Sequence, residues 1–555
     1  MKKLIAIALC LVLSLSLFAG CGGGGSSTKE TKPKVDEQGR TTITIGIPKS
    51  PLVEDYETNK FTLWLEETTG YNIEFEFFSA VDAASQLSTR VNGGMLLPDI
   101  LWGFELGSGV RSVYKDYGDS GFLIDLKPYF DDKEKSKNFW ELMEKAFPDE
   151  TEFKHMVNRM TDQEHGAMYA FPVIETSAVD QMSYQVYINQ KWLDNLQLEM
   201  PHDNESLLEV LRAFKTQDPN GNGRPDEQPL VATDTITLGG HGIGWLESLF
   251  LPTRLSTIFN LDENDQLTLP YTSEEYRKAL DFISGLVEEG LLADSNFKWT
   301  PTQVTNQLNP ADGVNTVGIF VGHPSVVFQY GQQSNLEYEA LPLWSYAVPR
   351  EPTMNLRYFI TSDCQNPDAA WEILMAACSD EGAKRQRYGE KGVDWLEAEE
   401  GAKSYLGWDA EMVLVNDFWG SIQNKHWGTV GATININAEG ELCQIEDTAD
   451  EWVIHKRQIM RDCYDYFQAA KEQYPCSLMP TILRNKEQAD LLTVERTNCD
   501  NFIKEKRSQF CLGTGGADPM DETQWQNYLK ELEAMGIQAY IEQNQEIYNL
   551  NFGKN

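Results

Sequence analysis

The sequence predicts an α/β fold divided into at least two lobes, on three observations. Strand and helix patterns alternate over residues 41–103, the order from which parallel sheets are built. The chain has 555 residues of which 41% are apolar, enough for a large core and more chain than one core usually encloses. The seven cysteines from Cys364 onward are odd in number and hold no CxxC pair, which argues against a small disulfide-stapled fold. They are expected to be mostly buried apolar fillers, with room for one or two bridges.

The chain opens on "MKKLIAIALCLVLSLSLFAGC", two lysines and an apolar run from Leu4 to Phe18 ending in small residues. That run is too short for a membrane span and is followed by "GGGGSS" instead of a stop-transfer pattern, so residues 1–20 are expected to be a secretory signal peptide. The ending "LFAGC" resembles a bacterial lipobox, with Phe18 in place of the usual leucine. The resemblance implies that Cys21 becomes the first residue and carries lipid on its sulfur and amine, palmitate among the acyl groups. Residues 21–40 lack an apolar period and read as a flexible, lipid-anchored linker. The expected location is the extracytoplasmic face of the cell membrane.

Regular structure begins with "TTITIGIP", a β-branched run that reads as a strand. "FTLWLEETTG" follows as a short helix closed by Gly70, "YNIEFEFF" alternates as a second strand, "DAASQLSTRVNGG" is a helix with a glycine stop, and "PDILWGF" is a third strand. Parallel sheets bind ligands beyond the carboxyl ends of their strands. Trp102, at the end of the third strand, is therefore placed either at such a crevice or in the core beneath it. Further along, Gln185 to Ile188 reads as a strand, Trp192 and Leu193 as part of a helix, and Asp203 or Asn204 as the cap of another.

That last helix runs into "TQDPNGNGRPDEQPL", residues 216–230. With Asp218 as position 1, Asn220 falls at 3, Asn222 at 5, Gly223 at 6, Arg224 at 7 and Asp226 at 9, the spacing by which a tight loop turns successive oxygens onto one calcium ion. Position 12, where a bidentate glutamate is expected, is Pro229, and Glu227 at position 10 is the candidate replacement. A donor set of oxygens without His or Cys favours calcium over zinc or copper. No catalytic base surrounds the loop, so the ion is expected to be structural; the alternative is a solvated Asn-Gly turn without an ion.

The formal net charge is −39, and removing residues 1–20 takes away two lysines and no acids, giving −41. Such a surface repels polyanions, so no nucleic acid partner and no close adhesion to anionic lipid are expected. The 14 tryptophans and 22 tyrosines suit a ligand with flat apolar faces and hydroxyl edges, which is how sugars present themselves. Trp102, Trp245, Trp299, Trp344 and Trp395 lie in loops, and they are the ligand-binding candidates, each against the alternative of a place in the core. Trp419 also lies in a loop, whereas Trp371 and Trp452 sit at helical spacing and are assigned to the core.

"YAFPV", "VYINQKWLDNLQLEMPHDNESLLEVLRAFKTQDPNGNGRPDEQPL", "GVNTVGIFVGHPS" and "NPDAAWEILMAACSDEGAKRQRYGEKGVDW", with the closing "DETQWQNYLKELEAMGIQAYIEQNQEIYNLNF", resemble the extracellular solute-binding proteins of sugar ABC transporters. The subgroup resembled is that of large lipoproteins which includes the alginate-binding proteins, and the likeness runs from about Thr41 to the C-terminus. It implies a periplasmic-binding-protein-like clamp whose chain crosses between two lobes several times. Residues 41–170 with about 358–425 would form lobe one, and 171–357 with about 426–555 lobe two, the C-terminal helices packing across both. It also implies a structural calcium in the loop that begins at Asp218, an oligosaccharide in the cleft, permease subunits as partners and a monomer in solution. A neutral oligosaccharide is favoured over an acidic one, because the net charge repels an anion at long range.

Two other classes remain open at this stage: a binder of peptides or lipid-like solutes, and a surface glycoside hydrolase. Among 85 Asp and Glu a pair at catalytic separation arises by chance, so carboxylates alone are no evidence for hydrolysis. No G-x-S-x-G, H-E-x-x-H or P-loop motif is present, and the expectation is a protein that is not an enzyme.

Overall fold

The computed structural model describes residues 34–552 apart from 107–113, 180, 235–241, 254–257, 324–326, 330, 416–421, 429–433, 436–438 and 445–450. The signal segment, Cys21, most of the linker and Trp419 lie outside the described residues.

Strand β1 (Thr42–Pro48), helix α1 (Lys60–Thr69), strand β2 (Asn72–Phe78), helix α2 (Ala83–Asn92) and strand β3 (Ile100–Trp102) follow the order read from the sequence. β1 pairs in parallel with both neighbours, Ile45 standing opposite Phe75 on one side and Ile100 on the other. α1 starts where the Asn59 side chain caps the Phe61 N–H and stops at Gly70, whose φ of 75° suits a residue without a Cβ. The sheet is covered on both faces, as parallel sheets require. Ile43, Ile45 and Ile47 pack with Phe61 and Leu65 of α1, and Leu101 packs with Leu87 of α2 on the opposite face.

Three later segments complete this first sheet. They are β4 (Phe171–Glu175), β9 (Thr353–Ile360) and β12 (Ile434–Asn435), and the strand order is β12-β4-β9-β3-β1-β2. β9 is antiparallel to both β3 and β4, so β4 runs the same way as β1 and β3. Helix α10 (Pro367–Ala377) covers one face with Trp371 and Leu374. Trp427 also belongs to this core and β12 pairs with β4, so the last pass through the first lobe reaches residue 435.

The second sheet has the order β8-β5-β7-β6, made of β5 (Val186–Asn189), β6 (Gln228–Val231), β7 (Val317–Val321) and β8 (Tyr338–Ala340). Alternation splits its side chains: Val186, Ile188 and Ile319 face one core, Tyr187 and Phe320 the other. The first core is closed by helices α5 (Gln190–Leu196), α6 (Asn204–Thr216), α7 (Gly242–Ser248) and α8 (Glu274–Glu288). α9 (Pro301–Leu308) and α12 (Glu451–Gln473) close the second. Asp203 is the cap of α6, in a capping box with Ser206.

Helices α13 (Lys486–Cys511), α14 (Glu522–Ala534) and α15 (Ile537–Phe552) bury Phe502, Trp525, Tyr540 and Tyr548 in the second lobe's core. They reach the first lobe at their ends, where the Phe552 ring lies 5.2 Å from that of His155. Six of the seven cysteines from Cys364 onward are buried, and Cys476 is half-buried. Trp371 and Trp452 are both in the core. Among the described residues no helix is long and apolar enough to cross a membrane.

Candidate functional site

The direction of the strands places a cleft. β4 leaves the first sheet at the end where β1 and β3 also finish, and the chain then enters the second sheet through β5. β7 is antiparallel to β5 and β6 is parallel to β7, so the carboxyl ends of β6 and β7 point back towards the first lobe. The carboxyl ends of β1, β3, β6 and β7 therefore face one another across the crossovers, the position where open α/β sheets bind ligands. Gly103–Leu106 from the first lobe, with Ala232–Asp234, Gly322 and His323 from the second, leave their strands at this level.

Of the five tryptophans expected to line a ligand, the structure encloses three. Trp102 is fully buried, held edge-on by Tyr358 and Trp427 with ring centroids 4.8 Å away in each case. Its place at a strand end is as read, but its side chain points into the sheet-helix layer and presents no face to the cleft. Trp245 is buried in the second lobe's core with α6 and α8. Trp395 is closed into a small antiparallel unit, β10 (Trp395–Glu397) with β11 (Met412–Leu414), and its indole N–H donates to the Gly389 carbonyl. In all three, neighbouring apolar groups from distant segments outcompete solvent for the ring.

Trp299 and Trp344 remain partly exposed. Trp344 follows β8, which is antiparallel to β5, so the chain there is returning to the crossover level. Its Nε1 donates to Asn204 Oδ1 at 2.8 Å, which fixes the ring plane. Trp299 precedes α9, which leads into the amino end of β7 and so starts at the opposite end, nearer the cleft.

Close to the cleft is a charge cluster with no local sequence signal. Arg507 of α13 donates through Nη2 to Asp234, just past β6, and its Nη1 lies 3.5 Å from Glu247 Oε1 on α7. All three side chains are under one-tenth exposed. Burial raises the Glu247 carboxyl pKa and the Arg507 charge opposes that rise. The guanidinium ties the segment leaving β6 to the C-terminal helices.

The oxygen-rich loop sits at the far end of the second lobe, ahead of the amino end of β6. Asp218 has φ of 47° and Gly221 and Gly223 have 69° and 73°, so the chain turns sharply and its side chains converge. The Asp218 carboxylate accepts the Asn222 and Gly223 N–H groups at 3.1 and 3.0 Å. Asp226 accepts from the amide nitrogens of Asn220 and Asn222 at 3.3 and 3.0 Å. Asn222 Oδ1 takes the Arg224 N–H at 2.7 Å. Glu227 Oε1 is enclosed without a partner, and burial, with the charges of Asp226 and Asp218, raises its pKa. A buried carboxylate oxygen without a donor, beside two other carboxylates in a set of hard oxygen ligands, is what a divalent cation would satisfy. The residues fit calcium.

The fold, two α/β lobes joined by repeated crossovers with strand ends facing one cleft, is that of the extracellular solute-binding proteins. The relatives include sugar-binding proteins of ABC transporters. The chain is 23% identical over 92% of its length, and 91% of the relative's, to the fructooligosaccharide ABC transporter substrate-binding protein FusA of Streptococcus pneumoniae. The HMO binding ABC-transporter associated solute binding protein from Bifidobacterium longum infantis superposes with a TM-score of 0.68 at 19% identity, over 92% of this chain and 99% of that one. The alginate-binding protein AlgQ2, solved without calcium ion, gives a TM-score of 0.54 at 16% identity over 92% and 98% of the two chains. FusA has also been solved as an EF-hand mutant, and a shorter match, 34% identical over 22% of this chain and 26% of the other, is to lipoprotein LipO of Bacillus subtilis. No protein-family model matches.

Proposed function

We propose that this protein is the substrate-binding lipoprotein of an ABC importer, taking an oligosaccharide into the cleft between its lobes and presenting it to the membrane permease. The observation that carries this is the facing of four strand ends across the crossovers, supported by the oligosaccharide-binding proteins that match nearly the full chain. A sugar touching both lobes is bound better by the closed form and shifts the lobes towards it. Trp299 and Trp344 are the proposed platforms. The protein acts by binding and carries out no hydrolysis, as a monomer held by lipid on Cys21 at the outer face of the cell membrane.

Titration against fructooligosaccharides, milk oligosaccharides and N-glycans tests the reading. One class should bind and should shrink the radius of gyration in small-angle scattering, and should be recovered intact after incubation. Trp299→Ala and Trp344→Ala should each weaken it by about 5- to 150-fold, ~1–3 kcal/mol, by removing an aromatic face. Cleavage of the sugar, or preferential binding of peptides, would replace this reading with one of the alternatives.

The loop from Asp218 to Glu227 is proposed to hold calcium through the side chains of Asp218, Asn220, Asn222, Asp226 and Glu227 and the Arg224 carbonyl. Its distance from the strand ends makes the ion structural. Calcium at a hundredfold excess over its Kd should add ~2.7 kcal/mol to stability. Calorimetry should show a higher Tm with calcium than with chelator, and no such difference in Asp218→Ala combined with Asn222→Ala. Equal melting temperatures in all four samples would remove the ion.

A further inference from the structure

A second cavity, of about 750 Å³, lies against the two crossovers. One wall is helix α4 (Glu150–Met160) of the first lobe, another the crossover residues Thr176, Gln181 and 349–352, and the third the end of α12 with Phe552 of α15. Its volume is that of a small-molecule site. Its lining includes none of Gly103–Leu106, Ala232–Asp234, Gly322 and His323, the described residues that leave β1, β3, β6 and β7.

Two side chains of α4 face it with unmet polar capacity. Among the described residues no carboxylate lies within 4.0 Å of Arg159, and its hydrogen bonds go from Nη1 to the Pro352 carbonyl at 3.3 Å and to the Met156 sulfur at 3.4 Å. Burial lowers the pKa of its guanidinium, and the charge of Glu351 acts against that. His155, one turn earlier and therefore on the same side of the helix, has its Nε2 enclosed without a partner. Burial pushes its pKa down, with the Arg159 charge acting the same way and Glu351 against.

Arg350 and Lys471 add positive charge on the opposite walls. Two acids border the cavity: Glu152 is exposed, and Glu351 is engaged through both oxygens by the N–H and hydroxyl of Thr481. In a chain of net charge −39 this concentration of cations is local. The Trp408 ring, 44% exposed, and Phe552 supply aromatic walls.

We infer that this cavity binds a small organic carboxylate borne on an apolar ring, the carboxylate between Arg159 and His155 and the ring against Trp408 and Phe552. A planar carboxylate matches the guanidinium fork and accepts from the orphaned imidazole, which holds a proton more readily beside an anion. Both lobes and both crossovers line the site, so an occupant that fits one arrangement of the lobes better than another would bias the hinge towards it.

Benzoate is the probe, with benzamide as its neutral counterpart and inorganic phosphate as a ringless anion, each titrated into the full chain by calorimetry. Benzoate should bind one-to-one at millimolar affinity or better, tighter than either control. Arg159→Gln should weaken it about tenfold or more, the worth of a charge-assisted pair. Trp408→Ala, on the other wall and at the surface, should weaken it severalfold and keeps the test open if Arg159→Gln fails to fold. Benzamide binding as well as benzoate, phosphate binding more tightly, or wild-type affinity in both variants would overturn the assignment.

Discussion

Replacing Trp102 with alanine is expected to destabilise the protein by ~3–5 kcal/mol while leaving the sugar affinity of the folded molecules unchanged. The ring is fully buried between Tyr358 and Trp427, so its removal opens a cavity where strands β3 and β9 meet. Its Nε1 is also buried without a partner, so Trp102→Phe removes an unsatisfied donor and should cost much less than the alanine. Urea unfolding monitored alongside sugar titration separates the two outcomes. Lost binding at wild-type stability would return Trp102 to the cleft.

Arg507→Met should be as damaging, ~3–5 kcal/mol at neutral pH, since it leaves Asp234 and Glu247 buried without their cation. The deficit should shrink in acid. Glu247 already titrates above its ordinary value in the folded protein because it is buried, and losing Arg507 removes the influence that holds it down. A carboxyl whose folded pKa lies above its unfolded one binds an extra proton when folded, so stability rises as pH falls through that interval. Adding Asp234→Asn and Glu247→Gln should recover most of the loss, because buried amides carry no charge to strand. A single variant as stable as wild type, or a deficit that grows in acid, would show that the cluster is solvated.

Local chemistry accounts for what the sequence made legible. Strand-helix alternation from β1 to β3, the stop at Gly70 and the cap at Asp203 each depend on residues within a few positions of one another. The loop at Asp218 belongs to the same class, since the spacing of its oxygen-bearing side chains and its left-handed turns are set within ten residues. Trp371 and Trp452 read correctly as core because helical period is also local. The loop tryptophans divided otherwise: glycine neighbours and an irregular backbone say that a ring is free of a helix, and nothing about what folds over it.

The sequence by itself therefore determined the α/β class, the order of its elements and the turn chemistry of the oxygen-rich loop. Only the tertiary structure decided which aromatic rings are covered, that Arg507 meets Asp234 across 273 positions, and that Arg159 and His155 share a cavity with residues of the other lobe. The physical reason is one of range. Dihedral preferences, caps and hydrophobic period act between neighbours in the chain, whereas burial and charge pairing act between neighbours in space, and here the chain makes those neighbours by crossing repeatedly between its lobes.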